Sequence, residues 1–160
     1  KNAHLYEEQT LGTCRIFRAR IDDDQIEELG TIVAEDTLIH LAGMEIGSVN
    51  AGTEMKLVLY WLAETTPNAS YTVFTQLLDA SGQVVAQQDN IPVKGMAPTN
   101  TWAVGQLIRD PYRLALPEDL QEGEYQLLIG MYNDDGRQMI RHPDGTETNH
   151  LSFAVPIENR

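Results

Sequence analysis

A chain of 160 residues with 42% apolar and 22% charged residues has the composition of a folded domain rather than a disordered segment. Its 24 Asp and Glu against 11 Lys and Arg leave a net charge of −13, which repels phosphate backbones and excludes nucleic acid and anionic membrane surfaces as favoured partners. The lone cysteine, Cys14, permits neither a disulfide within these residues nor a cysteine-based zinc cluster, and no apolar run is long enough to span a bilayer.

Residues 13–21 alternate, with Cys14, Ile16 and Arg18 on one face and Arg15, Phe17, Ala19 and Ile21 on the other. They predict a first strand in which the Cys14 thiol is a half-buried structural group rather than a nucleophile. The acidic stretch DDDQIEELG at 22–30 is expected as a connector forming a helical turn closed by Gly30. Asp22, Asp23 and Asp24, followed by Glu27 and Glu28, are candidate oxygen ligands for Ca²⁺, which takes about six to eight of them. The EF-hand spacing is absent, so a solvated acidic loop is the favoured reading and no metal is assigned.

Residues 36–46 predict a second strand with an irregularity at Gly43. In 53–63, Met55, Leu57, Leu59 and Trp61 share one face of a clear strand, with Trp61 read as core. Pro67 and Asn68 break the chain; 71–79 and 83–89 then form a hairpin whose turn, Ala80-Ser81-Gly82, places Gly where positive φ is needed. Residues 90–106, with Pro92, Gly95, Pro98 and Gly105, read as a long surface loop carrying Thr99, Asn100 and Trp102. These three are the candidate ligand-binding residues, because a loop aromatic on a rigid scaffold can stack on a sugar ring. The competing reading makes Trp102 a lid over one open end of the fold, and it is favoured because large aromatics bury most of their area.

Strand signals resume at 107–116, where Pro111 suits an edge or a bulge, and continue at 124–132. A turn at Asp134-Asp135-Gly136, the run RQMIR and a last strand at 148–155 follow. About eight to nine strands without a long helix indicate an all-β sandwich or barrel spanning 1–160 as a single domain. The run Leu120-x-x-Gly123-x-Tyr125 favours an immunoglobulin-like antiparallel sandwich, in which a tyrosine after such a corner returns its hydroxyl to upstream backbone.

Other constellations carry little chemistry. His4, His40, His142 and His150 lack the spacing of a zinc motif, and His40 is expected as a partnered, half-buried strand residue. Asp134, Asp135 and Asp144 are turn formers before they are metal ligands. Asn68-Ala69-Ser70 matches the glycosylation acceptor pattern, a weak three-residue motif. No G-x-S-x-G elbow, P-loop or dinucleotide fingerprint occurs, and no cofactor is expected.

LYW at 59–61, YTVFTQLLDASGQVVAQQD at 71–89, PTNTW at 98–102 and LPEDLQEGEYQLLIGMY at 116–132 carry a resemblance in order and spacing. Over about residues 36–140 the chain resembles a β-sandwich domain found at the extracytoplasmic C-terminal end of polytopic, glycosyltransferase-like bacterial membrane proteins. It departs from that pattern at IPVKGMA (91–97), where relatives are Gly-rich, and at Gln106, where they commonly carry an acid. Residues 1–35 add a strand and the acidic connector, and the opening at Lys1 is expected of a segment excised from a longer protein. The resemblance implies an extracytoplasmic accessory domain, tethered to the membrane-embedded part of its own parent chain, with no catalytic residue to carry over. Two other functions compete. A carbohydrate-binding module would show Trp102 exposed beside a groove; a small two-carboxylate glycoside hydrolase would show a cleft with one carboxyl of raised pKa.

Overall fold

A computed structural model describes residues 7–11, 14–18, 21–22, 25–26, 29–34 and 37–158, with side chains for 29–34 and 37–158. In chain order its strands are β1 (Glu7–Leu11), β2 (Cys14–Arg18), β3 (Ile21–Asp22), β4 (Gln25–Ile26), β5 (Gly30–Ala34), β6 (Thr37–Ile46) and β7 (Glu54–Ala63). There follow β8 (Thr72–Leu78), β9 (Val84–Asn90), β10 (Leu107–Ala115), β11 (Gly123–Asn133), β12 (Gly136–Arg137), β13 (Met139–Arg141), β14 (Glu147–Thr148) and β15 (Leu151–Ile157). Among the described residues the one helical turn is a 3₁₀ turn at Thr99–Thr101.

The strands form two antiparallel sheets and a separate β3–β4 ladder, the expected all-β sandwich. In the first sheet, β2 and β5 share one side of β6, β7 lies along the other side and β10 beyond it. β1 lies outside β2, and β13 and β14 lie outside β5. In the second sheet β9 flanks β8, which pairs with β11, and β15 and β12 share the far side of β11.

Strict alternation drives the packing. Met55, Leu57, Leu59, Trp61 and Ala63 of β7 are all 0% exposed, and Val73, Leu77, Leu127, Ile129, Met131 and Val155 of the second sheet join them in one core. Each fully buried aliphatic side chain of this kind contributes about 1.5–3 kcal/mol by leaving water. At one side of the sandwich the chain changes sheets twice, between Arg137 and Met139 and again between Thr148 and Leu151.

At the other side β9 and β10 are neighbours without a backbone ladder. Pro111 pairs with Val58 and has no N–H to offer outward, while the Arg113 N–H is taken by the side chain of Gln88 at 2.6 Å. The two sheets therefore meet through side chains and do not zip into a closed barrel.

Several expectations are met in detail. The β6–β7 register shifts between Leu41 and Gly43, as the glycine suggests. The hairpin turn places Gly82 at φ 82, and Asp79 Oδ1 accepts from the Ser81 N–H, the Ser81 hydroxyl and the Gln83 N–H. Tyr125 is buried and its hydroxyl donates to the Gln121 carbonyl at 3.0 Å, forming the predicted corner.

The stretch 22–30 is corrected. Ile21–Asp22 pairs with Gln25–Ile26, and Gly30 opens β5 instead of closing a helical turn. Its role is close approach: a Cβ there would lie 2.6 Å from the Leu151 side chain. Five strands, β3, β4, β12, β13 and β14, span only two or three residues, too short for alternation to reveal. The Cys14 thiol, the Asp22 side chain, and Asp23, Asp24, Glu27, Glu28 and His4 lie outside the described residues.

Candidate functional site

The 98–102 motif is a clasp. Thr99 is fully buried; its hydroxyl accepts from the Tyr71 N–H at 3.0 Å and donates to the Ala69 carbonyl at 2.7 Å. Trp102 is 1% exposed, sits in the core cluster and donates its indole N–H to the Ala97 carbonyl at 2.9 Å. The loop thus folds back over one end of the sandwich, fixed to 69–71 by a threonine and to the core by a tryptophan. Neither side chain offers a face to a ligand: the burial of Trp102 corrects the stacking alternative and agrees with the favoured lid, Thr99 is corrected as a ligand-binding candidate, and Asn100 alone of the three is exposed.

Asp110 is the polar residue that pattern reading passed over. It is fully buried on the inward face of β10, in line with Ile108, Tyr112 and Leu114. Oδ1 accepts from the Val93 N–H at 2.7 Å; Oδ2 accepts from the Tyr112 hydroxyl at 2.7 Å and the Trp61 indole N–H at 3.2 Å. Burial pushes its pKa up, and these three donors pull the other way. Burial also raises the Tyr112 phenol, reinforced by the Asp110 charge. The Val93 anchor holds an unusual turn, with Val93 and Lys94 both at φ 55 ahead of Gly95 at φ 85. A β-branched residue with positive φ is a strained conformation that its surroundings must impose.

The described surface also has an open depression, of about 270 Å³, on the outer face of the second sheet, lined by Phe74, Gln76, Asp89, Tyr132, Gly136 and Arg137. Phe74 points outward from β8, opposite Gly130 of β11, where a Cβ would lie 2.5 Å from its ring. The Arg137 guanidinium lies 4.1 Å over that ring, leaving Phe74 1% exposed, and donates to Gln76 Oε1 at 3.0 Å. The Tyr132 ring is tilted beside Phe74, centroids 6.4 Å apart, and its hydroxyl donates to Asp89 Oδ2 at 3.2 Å. Burial and the Asp89 charge raise the Tyr132 phenol. Gln76 donates to Gln87 Oε1 at 3.3 Å, extending the network along β9. One sequence signal for this site exists: Phe74 occupies an outward position between Thr72 and Gln76, where a polar residue is the norm.

The histidines of the described residues and Asp144 lie in local hydrogen-bond networks. His40 bridges Thr31 and Glu64 at 2.8 and 2.5 Å, the partnered strand residue that was expected. His142 meets the Thr148 hydroxyl at 2.7 Å. Burial, with the Arg137 and His142 charges, lowers the pKa of His150. Asp144 accepts from the Thr146 N–H and hydroxyl in a tight turn, which lowers its pKa. Among the described residues no three His, Cys, Asp or Glu side chains are grouped to share a metal ion.

No protein-family model and no curated relative matches the chain. Among solved structures, a β-glucuronidase from glycoside hydrolase family 2 is similar at 15% identity with a TM-score of 0.44, covering 86% of this chain and 12% of that one. The chain therefore spans a small part of that enzyme's length. What the geometry itself establishes is an all-β sandwich domain with a clasped end loop, a buried carboxylate hub and an open polar–aromatic face.

Proposed function

We propose that the chain is a non-catalytic accessory domain of an extracytoplasmic, membrane-anchored cell-envelope protein, acting as a scaffold beside the membrane-embedded part of its parent chain. One observation carries this reading: the residues that bear the sequence resemblance hold architecture. Trp61 ties into the Asp110 hub, Asp79 and Gly82 shape the hairpin, Thr99 and Trp102 form the clasp, and Tyr125 pins the corner. A shared pattern of this kind specifies a fold rather than a reaction.

The hydrolase alternative has its raised-pKa carboxyl in Asp110, but that group is fully buried and engaged by three donors. Purified domain incubated with aryl glycosides and envelope glycans should release no product above a buffer blank. Turnover abolished by Asp89→Asn or Asp110→Asn would replace the accessory reading with the hydrolytic one.

A further inference from the structure

The depression on the second sheet brings together a cation, an anion, an amide and two aromatic rings that come from four strands. Arg137 is positioned by Phe74 and Gln76, and Asp89 by the Tyr132 hydroxyl, so these side chains are ordered before any ligand arrives. Both keep hydrogen-bonding capacity: the guanidinium has five N–H donors, and the carboxylate about four lone-pair sites.

The pairing of opposite charges in one shallow site selects against ions. An anion drawn to Arg137 meets Asp89 and a chain of net charge −13; a cation drawn to Asp89 meets Arg137. A hydroxyl group suits both, accepting from the guanidinium and donating to the carboxylate. Two neighbouring hydroxyls on a sugar ring engage the two groups together, while the ring's C–H face packs on Tyr132, the half-buried ring of the pair. The open shape accommodates a unit within a longer chain as readily as a terminal one. We infer that this face binds a neutral saccharide, through Arg137, Asp89 and Tyr132 rather than through the 98–102 loop. The site goes beyond the accessory role and does not depend on it.

The test is a ¹⁵N-HSQC titration of the 160-residue chain with neutral hexasaccharides, an oligogalacturonate of equal length and inorganic phosphate. Neutral glycan should give saturable shifts at the amides of Phe74, Gln76, Tyr132, Gly136 and Arg137, with a Kd of about a millimolar, as befits a shallow site. Arg137→Ala and Asp89→Ala, checked for unchanged thermal unfolding, should each weaken binding about tenfold by removing a charge-assisted bond. Asn100→Ala should bind as the parent does. The inference is overturned if those amides stay still with every neutral glycan at tens of millimolar. Tighter binding of phosphate or oligogalacturonate, or undiminished binding by Arg137→Ala, overturns it as well. Absence of binding leaves the accessory assignment standing; glycan cleavage during the titration removes that assignment instead.

Discussion

Asp110 shares two oxygens among three donors, and the geometry sets what each substitution costs. In Asp110→Asn one oxygen becomes an NH₂ group, which faces either the Val93 N–H or the Trp61 indole N–H, donor against donor. Tyr112 can rotate its hydroxyl to accept; the other two cannot. The variant should lose about 1–3 kcal/mol, the cost of a buried unsatisfied group, as read from urea unfolding. The pH dependence has a defined sign. Because burial raises the folded pKa of Asp110, the native state holds its proton to higher pH than the unfolded chain does. The contribution is fully present below the unfolded carboxylate value and is lost as pH rises through the folded one. The stability of the parent chain relative to Asp110→Asn should therefore shrink as pH rises across that window. Tyr125→Phe tests a simpler bond: deleting the hydroxyl that donates to Gln121 should cost about 0.5–1.5 kcal/mol in the same assay.

At the scale of elements, the 91–97 turn stores strain that its anchor must overcome. Val93 and Lys94 sit at φ 55, where an L-residue loses roughly 1–2 kcal/mol relative to right-handed conformations. Lys94 is exposed, so Lys94→Gly removes strain without removing packing, and after the entropy cost of glycine it should raise stability by up to about 1 kcal/mol. Val93→Gly should gain less, because Val93 packs against the core. A lower urea midpoint for Lys94→Gly would show that the turn is not limited by backbone strain.

Elements with strict alternation were legible in the sequence. β7, the β8–β9 hairpin and β11 lie where Leu57-x-Leu59-x-Trp61, Ser81-Gly82 and Leu127-x-Ile129 place them. Where an apolar run is short, as in Gly30–Ala34, or a stub has two residues, as in Gly136–Arg137, periodicity has no purchase. The candidate site was less legible still. Whether a loop Trp faces solvent depends on what lies beneath it, and Arg137 reaches Phe74 across 63 positions of chain only after the sheets are built. Asp110 was readable in principle, as a polar residue at an inward position of an otherwise alternating strand.

For the whole molecule, the decisive junction is the one between β9 and β10, where the sheets approach without a ladder. Pro111 withholds a donor and Gln88 covers the next one along, so two successive outward positions of β10 offer no free N–H. A border short of two donors is a poor template for a second molecule's strand, and the −13 charge keeps copies apart at longer range. Pro111→Thr restores the missing N–H on a β-favouring residue. Light scattering of concentrated solutions should then show growing, thioflavin-positive particles in the variant while the parent chain stays dispersed. On that outcome the proline serves colloidal stability: a residue that withholds a strand's hydrogen bond within one molecule keeps a crowded population of them from polymerising.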